Sequence, residues 1–118
     1  MPNPGEFKAE TVAAKGIKYT LIKDHAEIAR AYLYIMHNDL HLEPFALLED
    51  VYVSNSQRGK GLGTKIVKQA ISAARDEGCY KLIATSRSCR VNVHRLYRKL
   101  GFEERGLEFR IDFKGDRS

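Results

Sequence analysis

The chain has 118 residues, of which 43% are apolar and 30% are charged, a composition typical of a globular protein. We therefore predict a single domain over residues 1–118, and no apolar run approaches the ~18 residues of a membrane span, which argues against a membrane protein. The polar start "MPNPGEFKAE" lacks the apolar stretch of a signal peptide, which predicts a cytoplasmic location. Two cysteines, Cys79 and Cys89, are too few for a disulfide framework.

The first half of the chain has the pattern of an antiparallel meander. Residues 6–12 are a candidate short strand, and residues 13–16 predict a turn that ends at Gly16. Three longer segments rich in β-branched and aromatic residues follow, with polar stretches between them, and each predicts a strand: Ile17–Ile22, Ile28–Met36 and Phe45–Val53.

The hydrophobic period changes after the third of these strands. Apolar residues on one helical face predict a helix from Leu62 to a stop at Gly78, and a second such helix ends at Gly101. Two further strands are predicted, one between the helices and one after them: Tyr80–Ser86 and Leu107–Phe113. The strand, helix and strand over residues 45–86 form a βαβ unit with parallel strands. The predicted fold class is therefore α+β (α/β), a mixed and mostly antiparallel central sheet with a βαβ core and two main helices.

Basic side chains are concentrated in the second half of the chain, within a net charge of +5. Residues 1–54 hold 5 basic and 8 acidic side chains, whereas residues 55–118 hold 15 basic and 7 acidic ones. Such asymmetry predicts an anionic partner, which is either nucleic acid or a phosphorylated cofactor.

A glycine-rich turn, Arg58–Gly63, joins the third strand to the first helix. Glycines permit positive φ and a close approach of ligand to backbone, and the free N–H groups at a helix start favour an anion. A Walker loop is excluded because Lys65 follows Thr64, and the spacing G-x-G-x-G is one residue short of the dinucleotide fingerprint. The remaining pattern is R-x-x-G-x-G.

This turn, preceded by "LLEDVYV", resembles the coenzyme A pyrophosphate turn of the GNAT superfamily of N-acetyltransferases. The later stretch "RVNVHRLYRKLGF", Arg90–Phe102, is similar to the family's helix with an apolar ladder, a tyrosine and "LGF". The resemblance covers about residues 45–102 and implies an acetyl-CoA-dependent enzyme that acetylates an amine. It implies that the cofactor contacts the turn and the preceding strand through these residues: Val51, Val53, Arg58, Gly59, Lys60, Gly61, Leu62, Gly63 and Thr64.

The chain departs from the family pattern at two places. Many members have asparagine seven residues before the tyrosine, where this chain has Arg90, with Asn92 displaced by two positions, so either residue is a candidate cofactor contact. The family also usually has two helices between its first two strands, where only "AAKG" separates the predicted strands here. We expect the acceptor side of the cleft to be open or closed by a second chain, as in a homodimer, with His37–Pro44 near the acceptor or the interface.

Acetyl transfer from a thioester to an amine needs a base for the amine proton and an acid for the leaving thiolate. Tyr97 is the candidate acid, because a phenol is protonated at neutral pH and the resemblance implies this role. The alternative is a core tyrosine on the apolar helix face. Glu49 is the candidate base, because it interrupts an apolar strand on the side of Leu47 and Val51. Asp50 is the alternative if a bulge swaps the parity, and a chain of water molecules is another.

Two other functions fit parts of the sequence. A basic nucleic-acid-binding module would use the 11 basic and 2 acidic residues between Gln57 and Lys99, but this stretch lacks a known binding motif. A domain that binds coenzyme A without catalysis, as a sensor, is the second alternative. The four histidines predict no metal site, since His37 and His41 lie at a strand end and in a loop. The identity of the amine acceptor is not encoded in any of these motifs.

Overall fold

The computed structural model describes residues 4–115. The chain divides into two compact units, Met1–Ala84 and Thr85–Ser118, and the single domain over residues 1–118 stays a prediction. The first unit holds four strands, a short 3-10 turn at Asn55–Gln57 and one helix, and the second holds one helix. In chain order the elements are β1 Ala14–Lys23, β2 Ala26–Met36, β3 Phe45–Val53, α1 Leu62–Asp76, β4 Leu82–Ala84 and α2 Val91–Lys99.

The strands form one sheet in the order β1-β2-β3-β4. The first three strands are antiparallel neighbours, and β4 pairs parallel to β3 after the crossover through α1. Asp24 and His25 alone connect β1 to β2, and both have positive φ, 51° and 64°. Positive φ at both central positions gives the twist that a two-residue hairpin needs. The predicted mixed, mostly antiparallel sheet with a βαβ unit and two helices is confirmed.

One face of the sheet forms the core together with α1. Every second residue of β2 is buried there, and so are alternate residues of β3 and a stripe of α1 that packs against both strands. These residues are Ala29, Ala31, Leu33, Ile35, Ala46, Leu48, Ile66, Val67, Ala70 and Ala74. Burial of a leucine or isoleucine side chain contributes about 1.5–3 kcal/mol, so this face supplies most of the first unit's hydrophobic stabilisation.

Two predictions for the N-terminal region are wrong. Residues 6–12 form no strand, and residues 14–16 belong to β1 rather than to a turn. Gly16 lies inside β1 opposite Tyr34, whose ring would be 2.9 Å from a Cβ at that position. The glycine is therefore a packing site for an aromatic ring on the neighbouring strand, which sequence reasoning mistook for a chain reversal.

The later strands are also shorter than predicted. The strand predicted over Tyr80–Ser86 is reduced to β4, Leu82–Ala84, and residues 107–113 form no strand. The alternation in residues 107–113 is real, but a strand requires a hydrogen-bonded neighbour, and none of the described strands pairs with this segment. Its four large apolar side chains are between 77% and 91% exposed: Leu107, Phe109, Ile111 and Phe113.

Both helices end at the predicted glycines. Gly78 and Gly101 have positive φ values of 76° and 104°. Each glycine adopts this left-handed conformation just after the end of its helix. At the end of α1, the N–H of Cys79 donates to the carbonyl of Ala74, and at the end of α2 the N–H of Phe102 donates to the carbonyl of Tyr97. This six-residue hydrogen bond is the Schellman motif, which satisfies carbonyl groups that the helix leaves without partners. Within residues 4–115, neither helix has the length and hydropathy needed to cross a lipid bilayer.

Candidate functional site

Strand β3 carries a bulge immediately after Glu49. Arg30 of β2 pairs with Tyr52, and Tyr32 pairs with Glu49, so Asp50 and Val51 together lie opposite a single residue of β2. Asp50 has a positive φ of 49°, which bends the strand at this point. A bulge leaves its extra residue outside the ladder of backbone hydrogen bonds. Backbone groups of Asp50 and Val51 are therefore displaced from the regular pairing with β2.

The opposite edge of β3 is only partly covered. Strand β4 pairs with residues Ala46 to Leu48, and the described ladder ends there. From Asp50 to Val53, β3 has a strand partner in β2 alone among the described residues, and this stretch is named here the free edge of β3. A strand edge without a neighbouring strand can hydrogen-bond an extended ligand as it would an additional strand. The predicted contact residues Val51 and Val53 both lie on this edge, where the carbonyl oxygen of Val53 accepts a hydrogen bond from the Arg58 side chain.

The free edge leads through Asn55–Gln57 into the glycine turn. Gly61 is the N-cap of α1 with φ of 77°, in the left-handed region that glycine adopts without strain. No side chain caps the helix, and its first turn, which includes Leu62, Gly63 and Thr64, has no acidic residue. The first N–H groups of a helix lack partners inside the helix and carry the positive end of its dipole. The turn therefore presents backbone donors where the sequence predicts an anion site.

The basic side chains of the turn make contacts with its own chain. The Nε of Arg58 donates to the carbonyl oxygen of Val53 at 3.1 Å, which ties the turn to the end of β3. The Nζ of Lys60 donates to Oε1 of Gln57 at 3.2 Å. Both residues are exposed. Arg58 therefore stabilises the turn and keeps its positive charge beside the helix start.

The space beside the turn fits a large anionic group. A Cβ built on Gly59 or Gly61 would meet no atom within 4 Å, so the backbone there is accessible from outside. The hydroxyl oxygen of Ser54, between the strand and the turn, is buried and has no hydrogen-bond partner among the described residues. Buried hydroxyl groups nearly always have a partner, so the hydrogen-bonding capacity of this oxygen is left unused by the described residues. The residues thus fit the cofactor that the resemblance implies.

The side of the sheet opposite α1 is named here the tyrosine face. It is lined by Tyr32 and Tyr34, whose rings stack with centroids 6.4 Å apart, and by Tyr52. Directly opposite residues of paired strands point to the same side of a sheet. Glu49, half-buried and opposite Tyr32, therefore belongs to this face and shares it with Leu47, as predicted. The prediction that Val51 points to the same side as Glu49 is wrong, because the bulge lies between Glu49 and Tyr52 and changes the alternation.

Charged residues extend the tyrosine face. The Nζ of Lys18 lies 2.7 Å from Oε1 of Glu27, and Nη1 of Arg30 lies 3.3 Å from Oε2 of the same carboxylate. The Arg30 guanidinium is 4.6 Å from the centroid of the Tyr52 ring. The hydrogen bond from Lys18 is the main cause that lowers the pKa of Glu27, and the same bond raises the pKa of Lys18.

The second unit holds the remaining predicted residues. Tyr97 is half-buried on α2, and its ring packs on Phe102 with centroids 5.1 Å apart. This is the hydrophobic contact that accompanies a Schellman motif, and it explains why the tyrosine and "LGF" occur together. Arg90 is the N-cap of α2, and Asn92 lies in its first turn; both are exposed. Nε2 of His94 lies 2.8 Å from the carbonyl oxygen of Arg87, so this histidine holds the loop before the helix.

Most predicted site residues thus come together in the first unit, on β3, the glycine turn and the start of α1. Tyr97 and Arg90 lie in the second unit. Sequence reasoning raised a bulge only as the alternative that would favour Asp50, and it missed Ser54 and the charged part of the tyrosine face. The sequence "ARAYLYI" contained a signal for that face. Small and apolar residues alternate in it with Arg30 and two tyrosines, and alternate residues of a strand point to opposite sides of the sheet. Residues 4–115 contain no group of three or more histidine, cysteine, aspartate or glutamate side chains placed to hold a metal ion.

Comparison with known proteins gives three concordant results. The sequence model of the acetyltransferase (GNAT) family matches residues 7–102. Glucosamine 6-phosphate N-acetyltransferase 1 of rice, Oryza sativa subsp. japonica, is 36% identical over 66 residues, which are 56% of this chain and 38% of that protein. Aminoglycoside N(6')-acetyltransferase type 1 of Serratia marcescens is 30% identical over 79 residues, 67% of this chain and 53% of that one.

A solved structure extends the comparison to three dimensions. The crystal structure of a Trypanosoma brucei acetyltransferase superposes with a TM-score of 0.78 at 27% identity, over 83% of this chain and 69% of the other. Both curated relatives are longer than the part they share with this chain, which spans between about a third and a half of their length. Residues 7–102, which the family model matches, contain the free edge of β3, the glycine turn and α1.

Proposed function

The chain belongs to the acetyltransferase (GNAT) family, and on this premise we propose that it transfers an acetyl group from acetyl-CoA directly to a primary amine. The observation that carries the proposal is the course of the backbone from Asp50 to Thr64. It joins the free edge of β3 to a helix start without a cap. A cofactor with an extended amide-bearing arm and a pyrophosphate matches both parts of this stretch.

The residues that would hold acetyl-CoA follow from this arrangement. Backbone N–H groups of the turn and the first turn of α1 bind the pyrophosphate, with added charge from Arg58 and Lys60. The backbone of Val51 and Val53 pairs with the pantetheine arm. Acetyl-CoA supplies the activated acyl group as a thioester. In the second unit, Arg90 or Asn92 contacts the cofactor, as the resemblance implies.

Glu49 is the proposed base. It lies on the tyrosine face, opposite Tyr32 and next to the bulge. A half-buried carboxylate there can take the proton of an incoming ammonium group directly or through a water molecule. Asp50 is the weaker candidate, because it is exposed and its backbone forms the bulge.

Tyr97 is the proposed acid for the leaving thiolate. The Schellman contact with Phe102 holds its ring in one orientation, as a proton donor requires. The ammonium group gives its first proton to Glu49 before the attack, and Glu49 later releases that proton to solvent. As the tetrahedral intermediate collapses, the C–S bond breaks, the phenol of Tyr97 protonates the leaving sulfur, and the second proton of the nitrogen restores the phenol, so the protons balance.

The names of the relatives suggest which acceptors to try first. One is named for glucosamine 6-phosphate and another for an aminoglycoside, and both names denote amino sugars. We propose a small amine of this kind as the acceptor. Nucleic acid is not expected as the main partner, because the glycine turn accounts for part of the basic charge. The cytoplasmic location likewise stays a prediction.

A homodimer is part of the proposal. Large apolar side chains are exposed in the loop before β3 and in residues 107–113, with Leu40 84% and Leu42 98% exposed. Exposed apolar clusters of this kind are typical of association surfaces. Most soluble oligomers are homo-oligomers, and symmetric dimers are the commonest of them.

One experiment tests the proposed reaction. The release of free thiol from acetyl-CoA is measured with a panel of amines, for the wild-type protein, Tyr97→Phe and Gly61→Asn. We expect thiol release with at least one amine, and a kcat lower by about 10²–10⁴-fold in Tyr97→Phe with little change in KM for acetyl-CoA. Asparagine tolerates the left-handed φ of Gly61 but places a side chain in the open space. It should weaken acetyl-CoA binding at least about tenfold.

The matched control is Gly106→Asn, since Gly106 also has open space around it but no positive φ. It should bind acetyl-CoA as the wild type does. Binding of acetyl-CoA without thiol release from any amine would favour the non-catalytic sensor. Unchanged affinity in Gly61→Asn would contradict the assignment of the turn, and full activity of Tyr97→Phe would make Tyr97 a packing residue.

A further inference from the structure

The tyrosine face carries a positively charged cluster that the acetyl-transfer machinery does not use. Lys18 and Arg30 share the single carboxylate of Glu27, at 2.7 Å and 3.3 Å, so the cluster has one positive charge in excess. Their side chains are 43% and 33% exposed, which leaves both accessible to a ligand. An arginine guanidinium has five N–H donors in a planar fork, and one carboxylate oxygen occupies only part of it.

Arg30 is held in a defined orientation. Its guanidinium stacks on the Tyr52 ring at 4.6 Å on one side and contacts Glu27 on another. A guanidinium fixed by an aromatic ring and a carboxylate loses less freedom when it binds an oxyanion than a free side chain does. An arginine with a purely structural role would need only the carboxylate to neutralise its charge. Here the guanidinium is also fixed by an aromatic ring, as in a preorganised anion site.

The cluster lies close to the proposed base. Arg30 and Tyr32 are two positions apart on β2, so they point to the same side of the sheet, about 7 Å from each other. Tyr32 is directly opposite Glu49. A molecule on this face can therefore reach the Glu49 carboxylate with one end and the Arg30 guanidinium with the other.

Resting on the proposed function, we propose that Arg30 and Lys18 bind an anionic group of the acceptor, which is therefore an amine that also carries a phosphate or a carboxylate. Tyr32 connects the two ends, because it is directly opposite Glu49 and its ring centroid lies 5.8 Å from Nζ of Lys18.

The phosphates of the cofactor are the competing occupant of this cluster, and the fold argues against them. The glycine turn leads into α1, which packs against the core face of the sheet. The tyrosine face is the opposite side of the same sheet. The side chains of Lys18 and Arg30 therefore lie on the side of the sheet that α1 does not cover, which favours the acceptor over the cofactor phosphates as their ligand.

The test compares acceptors that differ only in the anionic group. The kcat/KM is measured for glucosamine 6-phosphate against glucosamine, and for L-lysine against cadaverine, in the wild type, Arg30→Gln and Lys18→Gln. The wild type should prefer the anionic member of at least one pair, and the pair that shows the preference identifies phosphate or carboxylate. Arg30→Gln should reduce that preference by about 10- to 100-fold, the usual effect of a lost charge-assisted hydrogen bond, with little change for the neutral amine.

Lys15→Gln is the matched control. Lys15 is also on β1 and also lies 2.7 Å from a glutamate, Glu77, but it belongs to the other side of the strand. The Lys15→Gln substitution removes the same charge as Lys18→Gln and should leave the preference for the anionic amine unchanged. Equal losses for the neutral and anionic amines in Arg30→Gln would overturn the proposal, as would a raised KM for acetyl-CoA.

Direct binding separates this proposal from the proposed function. If no amine releases thiol from acetyl-CoA, the acetyl-transfer proposal fails, and calorimetry with glucosamine 6-phosphate and glucosamine still decides the anion site. Tighter binding of the phosphorylated amine that is lost in Arg30→Gln supports the site, and equal binding of the two amines overturns it. Thermal melting of each variant establishes that the fold is retained, and Lys18→Gln repeats the test if Arg30→Gln is unstable.

Discussion

The two faces of the sheet differ in composition although the same strands form both. On the core face, β2 contributes Ala29, Ala31, Leu33 and Ile35, all buried against α1. On the tyrosine face the intervening residues are Arg30, Tyr32 and Tyr34, half-buried or exposed. The two-residue period of a strand therefore assigns one set of positions to packing and the other to the candidate chemistry. Substitutions on the two faces should have different consequences, one on stability and the other on activity.

The largest expected effect is on the tyrosine face. Glu49→Gln keeps the size of the side chain but removes its ability to take a proton, so acetyl transfer should fall by about 10²–10⁴-fold. The free energy of unfolding should change little. The rates are measured by thiol release and the stability by urea denaturation.

Asp50→Asn is the matched control for this prediction, because asparagine also tolerates the positive φ at the bulge. Its activity should stay close to that of the wild type. If Asp50→Asn is the damaging change and Glu49→Gln is not, Asp50 is the base and the assignment by sheet face fails.

The next effect is on the core face. Leu33 is fully buried, so Leu33→Ala should lower the free energy of unfolding by about 2–5 kcal/mol through lost burial and the cavity that remains. The neighbouring Tyr34 is 39% exposed on the other face. Tyr34→Ala removes more atoms but should cost only about 1 kcal/mol, mainly the stacking with Tyr32. If the two substitutions lower the free energy of unfolding equally in urea denaturation, the two faces are equally well packed.

The smallest effect is the pH dependence of the charged cluster. Since Lys18 lowers the pKa of Glu27 below its ordinary value of 4.5, Glu27 contributes stability above that value, which is lost as the pH falls through the lowered pKa. Lys18, whose pKa is raised above 10.5, contributes stability that is lost only as the pH rises through its own pKa. In acid titrations followed by urea midpoint, Glu27→Gln should remove the acid-side loss. If the urea midpoints of the wild type and Glu27→Gln fall identically as the pH is lowered, the cluster does not contribute to stability.

Much of the architecture was predictable because it depends on local pattern. The period of α1, its stop at Gly78 and the glycine turn before it are all encoded within a few residues of one another. The strands were harder, because a strand exists only with a partner. Residues 107–113 alternate as a strand does and yet pair with none of the described strands, whereas Gly16 was taken for a turn although it packs under Tyr34.

The candidate site shows the same division. The backbone donors of the turn and the position of Tyr97 before "LGF" follow from sequence, since both belong to helix starts and ends with local hydrogen bonds. The cluster of Lys18, Glu27 and Arg30 does not, because its members come from two strands whose register is set by the turn at Asp24 and His25.

The amino-acid sequence by itself determined the family, the order of most elements and the residues of the glycine turn, because these depend on spacing along one short stretch of chain. Only the tertiary structure decided on which face of the sheet the Glu49 carboxylate lies and which residue is opposite it. The bulge at Asp50 and Val51 places Glu49 opposite Tyr32 and moves Tyr52, instead of Val51, onto the same face. Register between strands is a property of the pairing, and a shift of one residue exchanges the two faces of the sheet.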